Sequence, residues 1–216
     1  MVGAMPHPPT PLPEPTPALL KRLGVAEPDM WARVLAGPCA AREISTPRRL
    51  AGFLANIVHE TAGMVRLTES MNYSARRLMQ VWPRRFPTLA STKPFAGQPE
   101  ALANHVYGSR MGNIYPGDGW RYIGRGPLQV TGRDNYARLA LVTGLPLLEQ
   151  PELLQQPSTG ARAAAHWWHW AGCNQIADTG DIAAVRRRVN GGAIGLADVE
   201  RLYGRALKIL DPKDTP

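Results

Sequence analysis

Behind Ser45-Thr46-Pro47, the apolar residues Leu50, Phe53, Leu54, Ile57 and Val58 follow one another at spacings of three, one, three and one. That interval is the period of a single buried helical face, and it constrains the architecture more than any other feature of the chain. Thr46 is suited to cap this helix and Pro47 to its first position, where a missing N–H is of no consequence. The same period returns between glycine and proline punctuation from residue 18 onward, while alternating runs of β-branched residues are almost absent. The expectation is a mostly α fold. Helices are expected at 18–23, 29–42, from 47 to a stop at Gly63, 75–82 behind Ser74, 99–107 from Pro99, 133–143, 159–171, 180–189 and 195–210.

Two stretches depart from this pattern. Residues 108–126, GSRMGNIYPGDGWRYIGRG, hold six glycines among aromatic and polar residues, which predicts a loop or short hairpin whose backbone approaches something closely. Residues 1–17 hold seven prolines and lack both the basic and the apolar region of a secretory leader, so a Pro-rich mobile tail is expected there. The remaining 18–210 reads as one domain, with 211–216 as a short carboxyl-terminal tail. A chain of 216 residues buries roughly 70% of its unfolded surface. With 44% hydrophobic and 19% charged residues it is too apolar to be wholly disordered, and it has no apolar run long enough to span a bilayer. Cys39 and Cys173 stand in neither a CxxC nor a metal-ligand spacing and are read as free thiols.

The 25 basic against 17 acidic residues give a net charge of +8, which draws the protein toward an anionic partner. Nucleic acid, anionic lipid and bacterial cell wall are the candidates. The arginines are scattered instead of forming one basic run, which disfavours nucleic acid. The basic last helix could act on a membrane, but Leu196, Val199, Leu202, Leu207 and Leu210 are more simply read as core-facing.

Glu60 closes the strongest amphipathic helix, and Glu69 follows nine residues later beyond a glycine-containing turn. Two carboxylates so joined can face one another across a groove, as acid and base do in glycoside hydrolysis; on spacing alone they can equally be solvent-facing charges. His59-Glu60 evokes the zinc-protease HExxH pattern, but position 63 is Gly and the second ligand is missing. His166 and His169 share a helical face within His-Trp-Trp-His-Trp, where packing is favoured over metal ligation. No GxSxG, Walker A or GxGxxG pattern stands before a plausible helix.

Four ordered motifs carry a resemblance. His59-Glu60-Thr61-Ala62-Gly63, Glu69-Ser70-Met71-Asn72-Tyr73-Ser74, the run from Gly119-Trp120-Arg121 through Gln129-Val130-Thr131 to Asn135-Tyr136, and Val189-Asn190-Gly191-Gly192 resemble glycoside hydrolase family 19. The likeness is greatest to its phage endolysin and bacterial lysozyme-like members, and it runs from about residue 20 to 210. It implies a lysozyme-like, two-lobed α-helical fold with a small loop or hairpin region lining a substrate cleft. It implies single-displacement hydrolysis, with Glu60 as general acid, Glu69 as general base and Thr131 holding the nucleophilic water. His59, Tyr73, Trp120, Gln129, Asn135 and Asn190 fall at substrate-binding positions; for Tyr73 and Trp120 a core role, and for Thr131 a helix cap, stand as alternatives. An arginine frequent after the Asn-Gly-Gly turn aligns with Val199, and Arg201 lies close. The acid must be protonated near neutral pH, so Glu60 is expected among apolar neighbours and Glu69 in a wetter setting.

The interval between the two glutamates resembles the endolysin branch, so the expected substrate is the peptidoglycan glycan strand, cut between N-acetylmuramic acid and N-acetylglucosamine. Chitin is the alternative, and a catalytically silent wall-binding module a further one. No cofactor, metal or nucleic acid partner is expected. A monomer made in the host cytoplasm and given access to the periplasmic wall by a holin-type membrane partner completes the expectation.

Overall fold

The computed structural model describes residues 12–212. It is built from α-helices in the order α1 (Pro17–Arg22), α2 (Pro28–Ala41), α3 (Pro47–Glu60), α4 (Ala75–Val81), α5 (Leu89–Thr92), α6 (Pro99–Tyr107), α7 (Asp118–Arg121), α8 (Arg133–Thr143), α9 (Pro157–Trp170), α10 (Cys173–Asp178), α11 (Ile182–Asn190) and α12 (Leu196–Leu210). A 3-10 turn at Pro151–Gln155 precedes α9. Extended pairing among the described residues is confined to two antiparallel bridges, Thr68 with Arg125 and Arg125 with Val130, so the glycine-rich stretch leads through α7 into a short hairpin.

Helix α3 forms as its sequence dictates. The Thr46 hydroxyl accepts from the Arg49 N–H, Pro47 opens the first turn, and every residue from Leu50 to Val58 is buried. Burial of each large apolar side chain here is worth roughly 1.5–3 kcal/mol. Its principal neighbour is α12, whose Val199, Leu202 and Leu207 are core-facing as the spacing predicts. Around this pair, Trp31 and Leu35 of α2 and Trp168 of α9 complete the largest apolar cluster. A second cluster gathers Met71, Leu78, Phe86, Leu102, Val106 and Ile123; a third gathers Tyr122, Tyr136, Leu139, Leu147 and Leu154.

Helix α3 ends at Glu60, and three residues on Gly63 turns left-handed at φ 81°, where a Cβ would stand 2.5 Å from the Gly24 carbonyl oxygen. The Ser74 and Asp181 side chains cap α4 and α11. Several elements differ from expectation. Pro15 is buried, the Thr16 hydroxyl caps α1 and Pro17 is its first residue, so α1 starts within the segment read as tail; residues 1–11 and 213–216 lie outside the described residues. Helix α9 begins at Pro157, two residues early, and α10 is an additional short helix between α9 and α11. Cys39 and Cys173 are free and buried, and burial pushes both thiols up to about 12.

Candidate active site

A cleft of about 410 Å³ is lined by residues from several of these elements. Glu60 reaches it from the last position of α3, Glu69 from the segment between α3 and α4, Tyr107 from the end of α6, Gln129 and Thr131 from the hairpin, and Asn190 from the end of α11.

Glu69 is fixed at both its backbone and its carboxylate. Its N–H donates to the Gly124 carbonyl at 2.8 Å, and the Gly124 N–H donates back to Glu69 Oε2 at 3.2 Å. The Tyr107 hydroxyl donates to Glu69 Oε1 at 2.7 Å. Burial pushes the Glu69 carboxyl above its ordinary value and the charge of Glu60 adds to this, while the Tyr107 and Gly124 donors oppose it. Burial and the Glu69 charge likewise raise the Tyr107 phenol, which therefore remains a donor. Gly124 permits this close approach: a Cβ there would lie 3.2 Å from Glu69 Oε2 and 3.2 Å from Gln129 Oε1, so the carboxylate would have to shift.

Glu60 has a different partner. Arg186 Nη1 donates to its Oε1, and this arginine is itself 2% exposed. Arg186 also donates from Nε to the Ile194 carbonyl at 2.8 Å and from Nη1 to Asn56 Oδ1 at 3.4 Å, so one buried guanidinium joins α3, α11 and the loop before α12. The expectation of apolar surroundings for Glu60 and a wetter site for Glu69 is therefore corrected. Both carboxylates are half-buried, a cation holds Glu60, and burial raises the Glu69 carboxyl.

Thr131 donates its hydroxyl to the Gln129 carbonyl at 3.1 Å, which leaves its lone pairs available in the cleft. It is not a helix cap: Gly132 occupies that position in α8 with no side-chain cap bond. Gln129 sits at φ 52° and ties its amide to the Gly126 carbonyl at 2.9 Å. Tyr73 lines the cleft and packs edge-on against Trp82 at 5.2 Å, so it serves wall and core together.

Three expected sugar-contacting residues lie elsewhere. His59 is half-buried and donates from Nδ1 to Asp198 Oδ2 at 2.7 Å, tying α3 to α12. Asn135 donates to the Thr131 carbonyl at 2.8 Å and braces the hairpin from behind. Trp120 packs against the second apolar cluster and lines a separate cavity with Arg121 and Glu149, because the short helix α7 turns it away from the cleft. Val199 is buried, and Arg201 pairs with Asp198.

Arg186, Tyr107, Arg66, Thr68 and Ser70 belong to the site and were not singled out from the sequence. Arg186 stands in a three-arginine run that reads as a solvated basic face; its position four residues before Asn190, one helical turn away, is the signal that places both on one side of α11. Tyr107, as the residue before Gly108 at a helix end, carries no comparable mark.

No model of a known protein family matches the chain. A family 19 glycosyl hydrolase domain-containing protein of Haemophilus influenzae is 37% identical over 163 residues, which cover 74% of this chain and 79% of that protein. An endochitinase of Arabidopsis thaliana is 36% identical over 74 residues, covering 34% of this chain and 26% of the relative. Among solved structures, chitinase C of Streptomyces griseus superposes with a TM-score of 0.64 at 20% identity, covering 94% of this chain and 78% of that one. A class IV family 19 chitinase from Zea mays gives 0.55 at 16% identity, covering 89% and 87%. The structural likenesses establish the helical, lysozyme-like fold, and the Haemophilus relative establishes descent. The chain belongs to glycosyl hydrolase family 19 and is a chitinase-like glycoside hydrolase.

Proposed function

We propose that the enzyme hydrolyses the β-1,4-linked glycan of peptidoglycan between N-acetylmuramic acid and N-acetylglucosamine, with inversion at the anomeric carbon. The observation that carries the chemistry is the presence of Glu60 and Glu69 in one cleft on separate elements, with the Thr131 hydroxyl beside them. Glu60, one oxygen held by Arg186, protonates the leaving oxygen from its other oxygen. Glu69 takes a proton from a water that Thr131 orients, and the resulting hydroxyl attacks the opposite face of the sugar. A carboxylate raised by burial is a stronger base, which suits Glu69 to that task. The anionic substrate is supported by Arg66, exposed on the cleft wall, and by the net charge of +8, since peptidoglycan is anionic and chitin is neutral. In this reading the protein is a lysin that reaches the periplasmic wall through a holin-type partner.

A second reading, hydrolysis of N-acetylglucosamine polymers, is favoured by the Arabidopsis and Streptomyces relatives, which are named as chitinases. The deciding experiment measures turbidity loss of purified Gram-negative peptidoglycan by wild type and Glu60→Gln, with mass analysis of the fragments. Clearing by wild type alone, with new reducing ends on N-acetylmuramic acid, supports the proposal. Inactivity on the wall together with cleavage of soluble chitin oligomers replaces it by the second reading.

A further inference from the structure

On a part of the molecule that shares no lining residue with the cleft, a cavity of about 270 Å³ opens beside the carboxyl-terminal end of α2. Its polar side chains are Arg42, Arg162 and His166, and its apolar wall includes Pro38 and Val142. None of its lining residues is acidic, and neither arginine enters an ion pair among the described residues. Cationic clusters in folded proteins are ordinarily balanced by carboxylates, because adjacent guanidinium groups repel one another. Here no carboxylate lines the cavity to offset the two guanidinium charges.

The hydrogen bonding points the same way. Arg42 Nη2 donates to His166 Nε2 at 2.9 Å, which makes that nitrogen an acceptor and leaves the ring proton on Nδ1. Burial, then the charges of Arg42, Arg162 and His169, hold the His166 imidazole below its ordinary value, so the ring is the neutral tautomer that this bond requires. Arg42 Nε is buried with no partner. Apart from the accepting nitrogen already taken, the side-chain polar groups of the pocket are N–H donors. A sugar hydroxyl needs acceptors as well as donors, whereas a phosphate dianion accepts only. Its planar O–P–O edge matches the arginine fork, and its charge relieves the repulsion between the two guanidinium groups. The cavity is larger than a bare phosphate, and Pro38 and the half-exposed Val142 line it, so the group borne by the phosphate has apolar surface to rest on.

We propose that Arg42, Arg162 and His166 form a binding pocket for a phosphomonoester group, separate from the hydrolytic cleft. The inference is independent of which glycan the cleft cuts. Two sources supply this chemistry, a soluble phosphate and the headgroup of an anionic lipid.

The test uses the full chain in two arms. In one, sodium phosphate is titrated against sodium chloride at matched ionic strength while the His166 ring signals are followed by NMR. In the other, binding is measured to phosphatidylcholine vesicles with and without roughly one part in five phosphatidic acid. Arg162→Ala changes an exposed side chain and leaves the fold intact, Arg42→Gln is the second pocket variant, and Arg76→Ala removes one exposed charge from α4 as the control for net charge. The expected result is a loss of about tenfold in affinity for each pocket variant and less than about twofold for the control. Saturable binding of phosphate with a shift of the His166 signals assigns a soluble source. Binding confined to phosphatidic acid vesicles, with the same variant pattern, assigns a lipid headgroup. Absence of binding in both arms, or equal losses for all three variants, overturns the proposal.

Discussion

Tyr107 donates its hydroxyl to Glu69 Oε1 at 2.7 Å, and that bond opposes the burial which drives the Glu69 carboxyl upward. Tyr107→Phe removes the donor and keeps the ring. The Glu69 carboxyl then rises further, and since a general base works only when ionised, the acidic limb of the kcat/KM profile moves to higher pH. The plateau is expected to fall by no more than about tenfold. A profile whose acidic limb stays in place removes Glu69 from the role of base.

Arg186→Leu leaves the Glu60 carboxylate and the Ile194 carbonyl without their shared donor. Breaking a buried pair on one side is expected to cost about 3 kcal/mol or more, read as a lowered urea midpoint. Arg186→Lys retains the charge but puts a single nitrogen where Nε and Nη1 separately reach Ile194 and the Asn56–Glu60 pair. Its activity loss is expected to exceed its stability loss.

Gly124→Ala places a methyl group against Glu69 Oε2 and Gln129 Oε1, each 3.2 Å from the new carbon. Displacing the base by a few tenths of an ångström is expected to lower kcat by about tenfold to a hundredfold. The melting temperature and the KM for soluble glycan fragments should change little. Steady-state kinetics beside a thermal melt separate these outcomes.

His59→Ala tests whether this histidine contacts sugar or holds α3 to α12. Through Asp198 the structure assigns it to the helices, so a loss of about 1 kcal/mol in stability is expected, with hydrolysis within a fewfold of wild type. The effect depends on pH in a defined sense. The hydrogen bond from His59, with that from Arg201, holds the Asp198 carboxyl below its ordinary value. Its stabilising contribution is therefore complete above about pH 4 and is lost as the pH falls through the lowered value. Melting curves of wild type and variant should differ near neutrality and converge in strong acid. A large rise in KM with unchanged stability would return His59 to the substrate.

The long helices were legible because each carries its own start and stop. Thr46-Pro47, Ser74 and Pro99 mark entries that the structure reproduces, and the period behind them names the buried face. The short helices α5, α7 and α10 were not legible, since four to six residues do not hold a period and are stabilised by what they pack on. Within the cleft, Glu60, Glu69, Gln129, Thr131 and Asn190 were found because they recur in ordered motifs. Trp120 was misplaced because motif position does not report the turn of α7. The environments of the two glutamates were misjudged for a related reason. A helix rich in apolar residues gave no sign that Arg186, 126 residues away, would meet Glu60 at its end.

The reciprocal bonds between Glu69 and Gly124, the Arg125–Val130 bridge and the brace from Asn135 to Thr131 gather Glu69 and Thr131 onto one hydrogen-bonded platform. Glu60 hangs from the opposite scaffold, tethered through Arg186 to α11 and, by way of its neighbour His59, to α12. The two carboxylates therefore answer to different packing: a substitution that loosens the hairpin carries Glu69 and Thr131 with it, whereas one in α11 or α12 reaches Glu60 without disturbing either.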